Sequence, residues 1–520
     1  MVRGAGAHGR DAGLQRRVRA HRGAALSMFG MRLLLIAAGA ALLLTACGDG
    51  SSPSPGARGP LREQLAECKL EGLGRNARCA ELEVPENPAA PQGRKIKLHV
   101  AVLPALAERP APDPVFILAG GPGQAASRIA GRTLGFLSRL RRERDLVFVD
   151  QRGTGKSNPL HCDLEKGRDA LDHLATPEFP PGSLRVCLAG LSADPRFYTT
   201  HIAMADLDQV REALGYERVN LWGASYGTRA ALEYARQFPR RVRSLVLDSV
   251  APPSIRLPLF FPRDSEAALL AAFADCAQDV ACQRAFPTLA ADYEQLLARF
   301  ASGVVKAKVV HPRQGQVREV SISRDTVQGT LRAMLYLPET ASLIPLTLRE
   351  AARGNFGPLV THGYAMSDRN EREIALGMYL SVVCAEDLPR ITPEELAAQA
   401  RYRLLGQAIH DTIAKACAVW PRGEVPAEYF QPVQSELPAL LLSGRYDPVT
   451  PPQWGEEVAA RFPRSRHLIA KVGHNVSFSG CVPELITRFV READASKLDA
   501  SCVEKVQRPH FFLDFAGPGA

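Results

Sequence analysis

The chain has 520 residues, too many for one core of ordinary size, so one large or two smaller domains are expected. Hydrophobic residues make up 46% and charged residues 23%, which excludes a mostly disordered, collagenous or multi-span membrane chain. Of the formal net charge of +9, residues 1–46 carry +6, with seven arginines against Asp11 alone; the remaining +3 includes no long basic run, and a nucleic-acid partner loses its main support.

In chain order, the first readable element is an address. Met31-Arg32 precedes an uncharged run from Leu33 to Leu44 and then Thr45-Ala46-Cys47, a basic start, a short apolar stretch and small residues at a cut site. The run is shorter than the roughly 20 apolar residues a membrane-spanning helix needs. Leu44-Thr45-Ala46-Cys47 resembles a bacterial lipobox, in which the cysteine (Cys47) is lipidated and becomes the first mature residue; the alternative is an ordinary secretory signal with a chance cysteine. Residues 1–27 then read as an upstream extension, with Met28 or Met31 as the working start. Gly48 in place of Asp after the cysteine resembles lipoproteins released to the outer membrane. The targeting segment is expected over 1–47, with a flexible Gly/Ser/Pro-rich linker over 48–61.

The body alternates strand-like and helical stretches. Lys95–Leu103 alternates at first, as an outer antiparallel strand would, whereas Val115–Leu118 and Leu146–Val149 are short apolar runs of the kind found in buried parallel strands. Met204–Leu214 predicts a helix, Val219–Trp222 a strand, Tyr226–Phe238 a helix and Val242–Leu247 a strand. Helical segments such as Ser265–Cys276 and Asp292–Phe300 follow. The strand pattern resumes at Ala439–Leu442 and His467–Ala470, before a last helix near Pro483–Val490. The expected architecture is an α/β core over 62–252 and 438–505, with a mainly helical cap over 253–437 and a tail over 506–520. Ten cysteines remain besides Cys47, an even number that suggests disulfides in an exported chain. Consecutive pairing (68–79, 162–187, 276–282, 384–417, 481–502) closes the shortest loops, although sequence alone leaves connectivity open.

The strongest chemical signal is Leu221-Trp222-Gly223-Ala224-Ser225-Tyr226-Gly227, a G-x-S-x-G pattern between a strand and a helix, which exposes a serine nucleophile on a sharp turn. A serine hydroxyl needs a base, itself oriented by an acid. Asp447, in Gly444-Arg445-Tyr446-Asp447-Pro448, and His474, in Val472-Gly473-His474-Asn475, follow strands in the order Ser, Asp, His. Asp248 competes for the acid and His467 for the base, but His467 begins a strand. Ala119-Gly120-Gly121-Pro122-Gly123 after a strand suggests an oxyanion turn. Gly121 is the expected donor with Tyr226, since Pro122 has no N–H, while Gly120 and Gly123 shape the turn. Gly153-Thr154-Gly155-Lys156-Ser157 imitates the end of a phosphate-binding loop, but position 150 is Asp rather than Gly. No metal motif occurs, and no cofactor or catalytic metal is expected.

These segments together (GGPG, Asp150-Gln151-Arg152-Gly153-Thr154-Gly155-Lys156-Ser157, GASYGTR, GRYDPVTP and GH) resemble the proline iminopeptidase and tripeptidyl aminopeptidase branch of the α/β-hydrolases, from about residue 90 to 505. The resemblance implies Ser225 as nucleophile, Asp447 as acid, His474 as base, and Gly121 and Tyr226 as oxyanion donors. Ala119 stands where relatives often carry His. The resemblance also implies a cap carboxylate for a substrate α-amine, and Glu386, then Asp387, in Cys384-Ala385-Glu386-Asp387 fit it best. The expected activity is removal of amino acids or short peptides from free N-termini of oligopeptides. The rivals are a carboxylesterase with the same triad and a binding lipoprotein that has lost it. The only expected membrane contact is the lipid anchor, and no nucleic-acid partner is expected.

Overall fold

The computed structural model describes residues 59–518 except 74–76, 163, 165–168 and 175–180; the targeting segment, Cys47 and most of the linker lie outside the described residues. The strands are β1 (Ala66–Cys68), β2 (Ala77–Pro85), β3 (Lys95–Leu103), β4 (Val115–Leu118), β5 (Leu146–Val149), β6 (Val219–Ala224), β7 (Val242–Asp248), β8 (Val305–Val310), β9 (Val317–Ile322), β10 (Ala439–Gly444) and β11 (Ser465–Ala470). Nine of them form one sheet in the order β1-β2-β3-β5-β4-β6-β7-β10-β11. From β5 to β11 every neighbouring pair is parallel, while β1, β2 and β3 add an antiparallel edge.

Burial explains which runs became which strands. All four residues of β4 and all four of β5 are buried, because a parallel strand covered by helices on both faces has no solvent side. Alternation within the strands sends Phe116, Leu118, Leu221 and Leu245 to one face, where they meet Met204, Leu207 and Val210 of the helix Thr200–Ala213. Val115, Ile117, Phe148 and Trp222 go to the other face. There they pack on the helix Val482–Glu492, whose Val482, Leu485, Ile486, Phe489 and Val490 are buried at helical spacing. Each such side chain contributes about 1.5–3 kcal/mol on burial.

Two departures from the sequence expectation have clear causes. β3 is not an outer strand: β2, whose sequence ARCAELEVP alternates between buried and exposed, pairs outside it, and Cys68–Cys79 ties β1 to β2. Within the helical stretch between β7 and β10, an antiparallel hairpin β8–β9 appears, with Val309, Val320 and Ile322 buried and most other positions partly or fully exposed. One continuous apolar cluster joins this hairpin to the helices Phe261–Gln278, Leu289–Ala298, Arg324–Leu335 and Ile344–Ala352. The described residues form one compact unit. All five consecutive cysteine pairs are disulfides, with Cα–Cα separations from 5.1 to 6.4 Å.

Candidate active site

Ser225 stands between β6 and the helix Tyr226–Gln237 with φ 56° and ψ −124°, a conformation costly for a non-glycine residue and held here by its surroundings. Two of those surroundings are backbone contacts that only glycine permits. A Cβ on Gly227 would collide with the Leu118 carbonyl of β4, and one on Gly223 with the Gly227 carbonyl. From Leu221 to Ala230, Ser225 is the one residue that is not buried. The turn therefore lifts one hydroxyl out of the sheet, at the N-terminus of a helix whose dipole favours negative charge.

His474 Nδ1 lies 2.7 Å from Asp447 Oδ2. The carboxylate also accepts the backbone N–H groups of Val449 and Thr450 at 2.9 and 2.8 Å and the Thr450 hydroxyl at 2.8 Å. Burial pushes the Asp447 carboxyl up, but the neighbouring His474 and these donors outweigh it and hold it below the ordinary carboxylate range. An ionised Asp447 fixes the Nδ1–H tautomer of His474 and leaves Nε2 as the basic nitrogen.

Asp248, the competing acid, has a different task. Its oxygens accept the N–H groups of Val476 and Ser477 at 2.8 and 2.9 Å, its backbone carbonyl accepts Ser225 N–H at 2.9 Å, and Asn475 N–H donates to Ser249 Oγ at 2.8 Å. Trp222 Nε1 donates to Ser477 Oγ at 3.0 Å. Asp248 thus staples the histidine loop to the nucleophile turn, and burial raises its pKa. His467 bonds Ser443 Oγ at 2.8 Å and is pushed down to about 4 by burial. From the cap side, the Tyr336 carbonyl accepts His474 N–H at 2.8 Å and the Tyr336 ring packs on the imidazole.

The glycine turn approaches the nucleophile closely: a Cβ on Gly120 would lie 3.4 Å from that of Ser225. Gly120 N–H is directed to Gln124 Oε1 at 3.3 Å, and Gly121 adopts φ 110°. Tyr226 N–H opens the helix and has no intrahelical acceptor. Gly121 and Tyr226 therefore remain the candidate oxyanion donors. The Asp150–Ser157 segment is structural. Asp150 accepts from Ser127 N, Ser127 Oγ and Lys156 N, and Arg152 forms a buried bidentate pair with Asp206 at 2.6 and 2.8 Å.

Glu386 and Asp387 differ from expectation. Both are fully buried in a π-helical turn, Val383–Asp387. Glu386 Oε1 accepts Thr200 N–H at 2.6 Å, and Oε2 accepts the Thr200 hydroxyl at 2.9 Å and the Tyr429 hydroxyl. Asp387 pairs with Arg229 Nη1 at 3.0 and 3.1 Å. Their oxygens are occupied by the protein itself, so neither presents an open carboxylate to an entering amine. Burial raises Glu386 to about 7 despite the attraction of Arg229.

A carboxylate that sequence reasoning passed over does lie at the oxyanion turn. Glu373 Oε2 accepts Gln124 Nε2 at 2.7 Å and Arg132 Nη2 at 3.1 Å, and its side chain is 26% exposed. Ala375 N–H donates to Gly123 O at 2.9 Å, and Ile374 bridges Gln124, fastening this part of the cap to the turn. The only sequence signal was Gln124 directly after GGPG. Among the described residues, no group of three or more His, Cys, Asp or Glu side chains has metal-holding geometry, and no helix is long and apolar enough to cross a membrane.

The strand order, the serine turn and the Asp–His pair define an α/β-hydrolase fold. An α/β-hydrolase fold family model matches residues 113–316, and a model described as TAP-like protein matches residues 402–502. The chain is accordingly a serine hydrolase of the α/β-hydrolase fold with a TAP-like C-terminal region. It is similar to serine protease Hip1 of Mycobacterium tuberculosis, 26% identical over 480 residues, covering 85% of this chain and 90% of that protein. Carboxylesterase B of the same organism is 27% identical over 464 residues, 82% of this chain and 86% of that one. Tripeptidyl aminopeptidase of Streptomyces lividans is 29% identical over 208 residues, 35% of this chain and 37% of the other.

Proposed function

We propose that the chain is an exported serine aminopeptidase that releases amino acids or short peptides from free N-termini of oligopeptides. Ser225 Oγ bonds to the scissile carbonyl carbon as its proton passes to His474 Nε2. The tetrahedral oxyanion is received by the N–H groups of Gly121 and Tyr226, each contributing about 2.7–4 kcal/mol to the transition state. His474 then gives its proton to the departing amine as the C–N bond breaks. Water, deprotonated by the same imidazole, cleaves the acyl-enzyme and restores Ser225. Asp447 keeps the imidazole oriented and balances its charge.

The observation that carries the reading is the Ser225 turn, lifted out of the sheet, together with the His474–Asp447 pair at 2.7 Å; its aminopeptidase part rests on the resemblance and on the relatives. A cationic α-amine entering beneath a cap loses water and needs a carboxylate partner. The peptidase names of two relatives support the reading, and the carboxylesterase relative keeps an esterase as the alternative. The five disulfides fit an oxidising, exported location. We assign membrane attachment to a lipid on Cys47. The test compares free and N-acetylated fluorogenic mono-, di- and tripeptides. Free peptides are expected to be cleaved at least about 100-fold more efficiently, consistent with the strength of charged hydrogen bonds. Equal cleavage of acetylated and free peptides would replace this reading with the esterase or an endopeptidase.

A further inference from the structure

The polar chain that ends at Glu386 begins at the residue following the nucleophile. The Tyr226 phenol is 3% exposed or less and is held at two points: Gln151 Nε2 donates to its oxygen at 3.0 Å, and Thr200 Oγ1 lies 2.7 Å away. Thr200 has one hydroxyl hydrogen, and the geometry directs it to Glu386 Oε2 at 2.9 Å. With the Glu386 carboxylate ionised, the Tyr226 hydroxyl therefore donates to Thr200 Oγ1, because a hydroxyl carries only one donor. Tyr429 directs its hydroxyl to the same carboxylate. Donors from the helix Thr200–Ala213 and the turn Ala427–Phe430 thus converge on one cap carboxylate, with the Tyr226 phenol of the nucleophile helix one hydrogen bond behind them, in a π-helical turn of a kind frequent at functional sites. Arg229, three residues beyond Tyr226, is anchored to the adjacent Asp387, and Cys384 of the same turn is bonded to Cys417.

We propose that Glu386 is a positioning residue: through Thr200 it fixes the phenol of Tyr226, and with it the backbone N–H that receives the oxyanion, so that seating of the cap is coupled to transition-state stabilisation at Ser225. The physical reason is that a buried network with all its hydrogens satisfied has one arrangement, whereas a broken one leaves a buried hydroxyl to find another partner and the ring to follow it. Displacing an oxyanion donor lowers turnover without altering ground-state binding.

The inference rests on the Ser225 acyl-transfer reading, not on amine recognition, so the test uses a small acyl ester lacking an amine. Tyr226→Phe keeps the ring and the N–H but removes the hydroxyl; Thr200→Val keeps the volume but removes the bridging hydroxyl; Thr200→Ser keeps the hydroxyl. The first two are expected to lower kcat about 10-fold or more with KM changed less than about two-fold, the signature of a misplaced catalytic group. Thr200→Ser is expected to recover most of the rate lost in Thr200→Val, and Glu386→Gln to show the same kcat defect as Tyr226→Phe. Thermal unfolding of each variant verifies that it is folded. Parental kcat in folded Tyr226→Phe and Thr200→Val overturns the inference while leaving the aminopeptidase reading intact. So does a Thr200→Ser variant as slow as Thr200→Val, since packing would then be the cause. Equal cleavage of acetylated and free peptides overturns only the aminopeptidase reading, and a parental rate in Ser225→Ala overturns both.

Discussion

Two aspartates stand at strand ends beside one histidine loop, and their partners separate their roles. Asp447 meets the imidazole at 2.7 Å, whereas Asp248 meets backbone N–H groups of the loop that carries it. Ser225→Ala and His474→Ala are therefore expected to reduce kcat by about 10⁴-fold or more, and the double variant by no more than either single one, because the groups act as a unit. Asp447→Asn is expected to lower kcat by orders of magnitude with a modest fall in unfolding temperature, whereas Asp248→Ala should lower both strongly. Steady-state kinetics with differential scanning calorimetry distinguish these outcomes. The two buried carboxylates Asp447 and Glu386 also give opposite pH signs. Glu386 lies at about 7, above its ordinary 4.5, and faces Arg229, Tyr226, Tyr429 and Thr200, with Asp387 and Arg390 on its own segment. The native state therefore holds a proton that the unfolded chain releases. Its stability contribution is present below about pH 4.5 and is lost as pH rises through 7. Asp447, held low, contributes above its ordinary value and loses that contribution as pH falls below it. Unfolding midpoints between pH 5 and 8 should fall more steeply in the parent than in Glu386→Gln.

The nucleophile helix Tyr226–Gln237 and the cap turn Val383–Asp387 are joined by a buried ion pair rather than by apolar contact alone. Arg229 is 1% exposed, bonds both oxygens of Asp387 and donates to the Ile255 carbonyl at 2.9 Å. Removing one partner of such a pair leaves a buried charge uncompensated. Arg229→Ala is therefore expected to cost about 3–5 kcal/mol in denaturant unfolding, far more than the removal of an exposed arginine. The Cys384–Cys417 bridge acts on the same cap turn, and Cys481–Cys502 ties down the segment after the histidine loop. Each closes a loop for which about 2–4 kcal/mol is typical.

For the molecule as a whole, the described residues form a hydrolase stapled by five disulfides with a cap fastened to the glycine turn, and the proposed lipid on Cys47 would hold it at a membrane surface. Mature protein is expected to begin at a lipidated Cys47. Intact-mass analysis and membrane fractionation of a Cys47→Ser variant check this, and a variant that stays membrane-bound with unchanged N-terminal processing refutes it.

The sequence alone determined most of what depends on local pattern. Val115–Leu118 and Leu146–Val149 coincide with β4 and β5, because a fully apolar run bounded by turns has one stable environment in such a fold. The serine turn was equally legible, since its glycines answer to contacts within a few residues and one neighbouring strand. Strand β2 and hairpin β8–β9 were not legible: their partly polar alternation acquires meaning only when a partner strand covers one face. Glu386 and Glu373 show the limit most clearly. Both are acidic residues of the helical insertion, and the family resemblance pointed to Glu386, not to Glu373. Tertiary contacts across 186 residues to Thr200 buried Glu386, and contacts across 249 residues to Gln124 brought Glu373 to the oxyanion turn. A carboxylate's role follows from which donors reach it and whether water does, and in this chain those donors come from distant segments that only the folded backbone brings together.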